Sequence, residues 1–150
     1  MPIMNYTTAV SPIKSAGEVQ TILARHGATL VSTLYVAGNP VGIAFSINTQ
    51  FGRRNFELPA NADGVYRTLV RTAERRYRTR EHSQRVAWRI LKDWVEAQIA
   101  VIESGMVTLD EVMLPYMITD NGRTLTETYR NSEQMRSQIG GASSPKELEA

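Results

Sequence analysis

The chain has no cysteine, which excludes disulfides, thiolate nucleophiles and cysteine-ligated metal. Histidine is nearly as scarce: His26 and His82 are the only two, far apart and without a convincing Ser or Asp partner for a triad. Asp93, Glu96, Glu103, Asp110 and Glu111 remain as oxygen ligands for a cation. They spread over helix faces at salt-bridge spacing, and no lysine is placed to complete a nuclease constellation. There is no GxxxxGK[ST] run, and the scattered glycines form no phosphate-cradling loop. No apolar run approaches the roughly 20 residues that span a bilayer. The opening MPIMNYTTAVSPIKSAGE has neither the basic start nor the long apolar stretch of a signal peptide. These absences predict a non-enzymatic protein with no metal or cofactor, working off the membrane in a reducing cytoplasm.

Composition is otherwise ordinary for a soluble domain, with 42% hydrophobic and 21% charged residues in 150, enough chain for one core without staples. Residues 1–14, with Pro2 and Pro12, read as an extended arm. Residues 15–139 read as a single domain. Residues 140–150, opening on Gly140-Gly141-Ala142-Ser143-Ser144-Pro145, read as a flexible tail.

Within the domain the period of the apolar pattern changes twice. Ser15 and Glu18 have capping-box spacing, and Val19, Ile22 and Leu23 give a short helix one apolar face before Gly27. Thr29–Val36, Val41–Asn48 and Arg53–Leu58 are strand-like, joined by Ala37-Gly38-Asn39-Pro40 and Thr49-Gln50-Phe51-Gly52. Ile43, Phe45 and Ile47 alternate on the face that needs covering. From Asp63 the spacing becomes helical, through Val65, Leu69 and Ala73 to about Arg80. The longest helix is predicted over 82–104, with an apolar arc wider than half its circumference. Trp94 sits in the middle of that arc as a core residue, and Trp88 toward its edge. Gly105 stops it, and Thr124 with Glu127 opens a last polar helix to about Gln138. The expected fold is α+β: an N-terminal helix, a three-stranded antiparallel meander, and a helical C-terminal half around one long central helix.

The most informative feature is where the charge lies. Residues 53–92 hold eleven of the 17 bases, ten of them arginine, against four acids, a net of +7. Residues 1–52 carry two bases and one acid, and residues 93–150 carry four bases and ten acids, so a net of +2 conceals this segment. On a helix over 63–80, Arg67, Arg71, Arg75 and Arg78 fall within about 80° of one another at 100° per residue. Like charges at that spacing destabilise an isolated helix. Arg85 and Arg89 repeat the spacing on the next polar face, and Arg53 and Arg54 begin the segment on the third strand. Guanidinium matches phosphate oxygens in a bidentate way and stacks on bases, which lysine does less well. Tyr66, Tyr77, Trp88 and Trp94 lie in or beside the segment, and Trp88 is the better placed to stack on a base. The alternative is internal pairing. Arg89 with Asp93 and Lys92 with Glu96 are four-residue pairs that need no ligand.

Arg85-Val86-Ala87-Trp88-Arg89, then Trp94 to Ile102, Met113-Leu114-Pro115-Tyr116 and Asp120 to Leu125 carry a resemblance, joined by GIAFSI and FELPAN in the strand region. Together they resemble a family of small uncharacterised proteins encoded by bacteriophages and prophages, over residues 15–130. These motifs mark the family without specifying chemistry. The resemblance implies phage origin, expression in the host bacterial cytoplasm, and one of two jobs: aiding phage DNA replication or recombination, or blunting a host defence.

The expectation is therefore a nucleic-acid-binding protein that holds single-stranded or distorted DNA through Arg53, Arg54, Arg67, Arg71, Arg75, Arg78, Arg85 and Arg89, with Trp88 stacking. No sequence-reading module is evident, so phosphate contact is expected rather than base readout. Alternatives are an anti-defence protein that sequesters a nucleotide or binds a host defence protein, and an adaptor of the phage particle. The wide apolar helix face and the acidic C-terminal third predict a homodimer.

Overall fold

Ser11 and Pro12 open the first helix. In the computed structural model, which describes residues 2–141, α1 spans Pro12–Arg25 and Ser11 is its N-cap. The Ser11 hydroxyl accepts from the Lys14 amide. Proline in the first turn sacrifices no helical hydrogen bond. The helix thus begins a full turn before Ser15, which is fully buried inside it. Nor are the preceding residues a free extended arm. Ile3 and Tyr6 pack with Leu69, Ala73 and Val86, and the Asn5 amide donates to Asp93 at 2.7 Å. His82, buried, donates from Nε2 to the Tyr6 carbonyl, which leaves Nδ1 to accept from the Arg85 guanidinium at 3.2–3.3 Å.

The meander follows as predicted: β1 (Ala28–Val36), β2 (Asn39–Thr49) and β3 (Gly52–Pro59), antiparallel and in that order. Ala37 and Gly38 connect the first two strands with φ of 50° and 79°, a type I′ hairpin turn. Ile43, Phe45 and Ile47 of β2, with Phe56 and Leu58 of β3, are buried on the sheet's inner face. The rings of Phe45 and Phe56 stack 5.3 Å apart.

Two helices lie alongside each other over that inner face. The long helix, Arg80–Glu103, runs parallel to α1: Arg89 meets Ser15 and Glu18, and near the far ends the His26 ring meets Glu103 at 3.1 Å. Before it, Ala62–Thr72 forms α2, so the long helix is α3. A helix over 63–80 is not what forms. The chain extends at Ala73 and Glu74, then makes a 3-10 turn at Arg75–Tyr77. Thr68 and Thr72 return their hydroxyls to carbonyls four residues back, a bond that weakens helix interiors. Thr79 caps α3 through the His82 amide, so the chain must leave one helix in time to begin the next.

Trp88, expected toward the edge of the apolar arc, is the sealed tryptophan, while Trp94 packs against the core only in part. Trp88 is 1% exposed and donates from Nε1 to the Pro40 carbonyl at 2.9 Å. It faces the sheet together with Val95 and Ile99. Trp94 lies a third of a turn away, half-buried, its ring edge-on to Tyr116 at 6.0 Å. The C-terminal part is short pieces: α4 (Leu109–Val112), a 3-10 turn (Leu114–Tyr116), α5 (Leu125–Asn131) and α6 (Glu133–Ser137). Thr124 and Glu127 form the expected capping box. Ser132 splits the last predicted helix by capping α6. Most of the predicted tail lies outside the described residues. No described helix is long and apolar enough to cross a membrane.

Candidate nucleic-acid interface

The eleven bases of residues 53–92 separate into three groups. Arg53 and Arg54 sit at the β2–β3 hairpin end of the sheet, opposite Asn48 and Ile47. Both are exposed. Arg53 reaches the Ser46 hydroxyl at 3.4 Å, and Arg54 donates to the Arg53 carbonyl at 3.1 Å. Helix α2 packs at the other end, because Leu69 and Ala73 meet Val86, two residues from the Trp88 that bonds Pro40. About six strand residues, roughly 20 Å, separate the two ends. The single basic stripe predicted from Arg53 to Arg89 is therefore divided.

Six bases are engaged within the fold. Arg89 is the clearest correction. Its side chain is only 16% exposed, 2.9 Å from the Glu18 carboxylate and 3.2 Å from the Ser15 hydroxyl. What reads as the polar face of α3 is its interface with α1. Arg85 pairs with Glu81 at 3.2 Å and bonds His82. Arg78 donates to the Ala73 carbonyl at 2.7 Å, closing the break after α2. Arg80 pairs with Asp63 at 2.7 Å and lies 4.1 Å over the Tyr66 ring. Arg76 pairs with Glu74 at 3.2 Å and lies 4.7 Å from the centre of the Tyr77 ring. Lys92 pairs with Glu96 as its spacing suggests. Arg89 and Asp93 do not pair, since Asp93 accepts from Asn5.

Arg67, Arg71 and Arg75 form the third group. All three are exposed, and none has an ion-pair or hydrogen-bond partner among the described residues. Arg67 and Arg71 stand one turn apart on the side of α2 turned away from α3; Arg75 begins the 3-10 turn beyond it. Exposed Val70 shares this face. Tyr66 and Tyr77, half-buried, flank it beneath Arg80 and Arg76. The stacking candidates are thus these tyrosines rather than Trp88, whose ring is sealed in the core. The ion pairs of these exposed side chains exchange with water at little loss, so a phosphate can recruit Arg76 and Arg80 to the same surface.

Concave sites bring together at most two of these arginines. A groove of about 630 Å³ between the segment before α1, the β1–β2 turn and the start of α3 holds Arg80 and Arg85, both already paired, with Glu81 between them and Arg80 lying over the Tyr66 ring. A recess of about 380 Å³ between the sheet and the start of α5 is lined by Leu34, Gly42, Pro59, Tyr116 and Thr124, with Arg130 its only base. Among the described residues, no group of three or more His, Asp or Glu is placed to hold a metal ion. Compared with known proteins, the chain matches no family model, no curated protein and no solved structure.

Proposed function

We propose that the protein is a non-enzymatic nucleic-acid-binding protein that holds the sugar-phosphate backbone of an unpaired or distorted strand across the outer face of α2. The observation that carries this reading is the set Arg67, Arg71 and Arg75: three exposed guanidiniums on α2 and the turn that follows it, without carboxylate partners among the described residues. A series of unneutralised arginines outside the concave sites suits a polymer whose charges recur along its length. Condensed counterions released from the strand supply the binding free energy. A single nucleotide is better held in a cavity where several donors converge. In the two concave sites that hold more than one base, carboxylates share the lining, Glu81 with Arg80 and Arg85, and Glu18 and Glu96 with Lys14, Arg25 and Lys92. In the phage setting that the resemblance implies, such a protein serves replication or recombination of phage DNA in the host cytoplasm.

The test is anisotropy of a labelled oligonucleotide titrated with the protein at low salt. Wild type binds single strands of unrelated sequence with similar affinity. The variant R67A/R71A/R75A binds at least about tenfold more weakly, as loss of about three phosphate contacts requires. Equal binding by the two proteins overturns the reading.

A further inference from the structure

β1 is the open edge of the sheet. Among the described residues its backbone bonds only to β2, whereas β3 at the opposite edge is met by Met117 and Ile118. Natural sheets blunt an open edge with lysine, proline or an inward-pointing charge. The sequence ATLVSTLYV has none of these, and it leaves Leu30, Tyr35 and Val36 exposed at 67%, 54% and 63%. Two irregularities interrupt its pairing with β2. One is a bulge at Leu30, whose left-handed backbone (φ 50°) shifts the register between Thr29 and Ser32. The other is a shift between Leu34 and Tyr35, where the partners pass from Gly42 to Pro40; the extra residue, Val41, lies on β2, leaving Ser32–Val36 continuous on the β1 side. The bulge confines the usable edge to Ser32–Val36, and so to one pairing rather than a sliding set.

We propose that this edge pairs antiparallel with β1 of a second copy, about a two-fold axis at Leu34, joining the two three-stranded sheets into one. Backbone amides and carbonyls facing outward from an edge are satisfied only by water or by another extended strand. Three features favour a second copy as that strand. A two-fold contact must be complementary to itself, and pairing about Leu34 sets residue 32 against 36 and residue 33 against 35 of the other copy. An uncharged strand meets that condition with no like charges opposed. A charged foreign peptide finds no counter-charge along it. Helix α1 covers β1 from the inner side and α2 packs on α3, away from β1, so the pairing leaves Arg67 and Arg71 uncovered on both copies. A contact of this length buries less than the roughly 1,200 Å² of stable interfaces, and the association is correspondingly weak and reversible.

Light scattering across a concentration series tests this with two double variants at the exposed positions Ser32 and Val36. Wild type shows a reversible monomer–dimer equilibrium. S32K/V36K places lysine against lysine twice across the axis and moves the midpoint to about tenfold higher concentration. S32K/V36E places lysine against glutamate twice and returns the midpoint toward wild type, with thermal unfolding of both variants confirming that they fold. The proposal is overturned by a wild type that stays monomeric, or by a dimer in which the two variants behave alike. A monomer in which the outward-facing β1 amides, those not bonded to β2, resist hydrogen exchange also overturns it, since the edge is then covered within one chain.

Discussion

Arg89 and Glu18 join the two parallel helices that cover the sheet, the guanidinium 2.9 Å from the carboxylate. Removing the arginine leaves a half-buried carboxylate without its counter-charge. Arg89→Ala is expected to lose about 1–3 kcal/mol of stability, while the double change R89L/E18L recovers most of it, because replacing both partners avoids the orphaned charge. Urea denaturation of the three proteins measures the difference. Arg89→Ala, once folded, binds nucleic acid as wild type does, which separates this arginine from those on α2.

Trp88 fills the space between α3 and the start of β2, and its indole N–H satisfies a buried carbonyl. Trp88→Ala is expected to destabilise by about 3–5 kcal/mol. Trp88→Phe keeps much of the packing and leaves the Pro40 carbonyl without a donor, at about 1–3 kcal/mol. Calorimetry distinguishes the two. Tryptophan fluorescence gives a second check, since the buried indole emits at shorter wavelength than half-buried Trp94.

The β1–β2 turn asks Ala37 for a left-handed backbone, φ 50°, which alanine adopts reluctantly. Asn-Gly is the favoured pair for such a turn. Ala37→Asn is expected to stabilise by about 0.5–1 kcal/mol, with melting about 2 °C higher. Gly38→Ala, at φ 79°, moves it in the opposite direction.

The order of elements was legible because each rests on a local pattern. Ile43, Phe45 and Ile47 alternate, the Ala37-Gly38 and Thr49–Gly52 turns carry their own turn residues, and Thr124 with Glu127 makes a cap within four residues. The break after Thr72 was hidden because Val65, Leu69, Ala73 and Tyr77 all pack into one cluster, so the apolar period continues through a helix that does not. The choice between Trp88 and Trp94 was hidden for a related reason. Both lie on one wide apolar arc, and a carbonyl 48 residues away decides which is sealed.

The site was the least legible part. Local spacing puts Arg89 beside Asp93, yet it bonds Glu18 on another helix, far along the chain. Asp63 claims Arg80 in the same long-range way. Of the expected row Arg67, Arg71, Arg75 and Arg78, Arg67 and Arg71 stand one turn apart because both lie on the regular part of α2. The arginines after Thr72 fall outside that periodicity, and Arg78 turns back to the backbone.

The central claim, that Arg67, Arg71 and Arg75 take the backbone phosphates, is tested most directly by the salt dependence of binding to a single-stranded oligonucleotide. For wild type, log K falls linearly with log salt concentration, at about −0.7 per phosphate neutralised. In R67A/R71A/R75A the slope is expected to become shallower by about 2, as three lost contacts require, whereas R53A/R54A at the far end of the sheet changes it little. A triple variant with the wild-type slope contradicts the account.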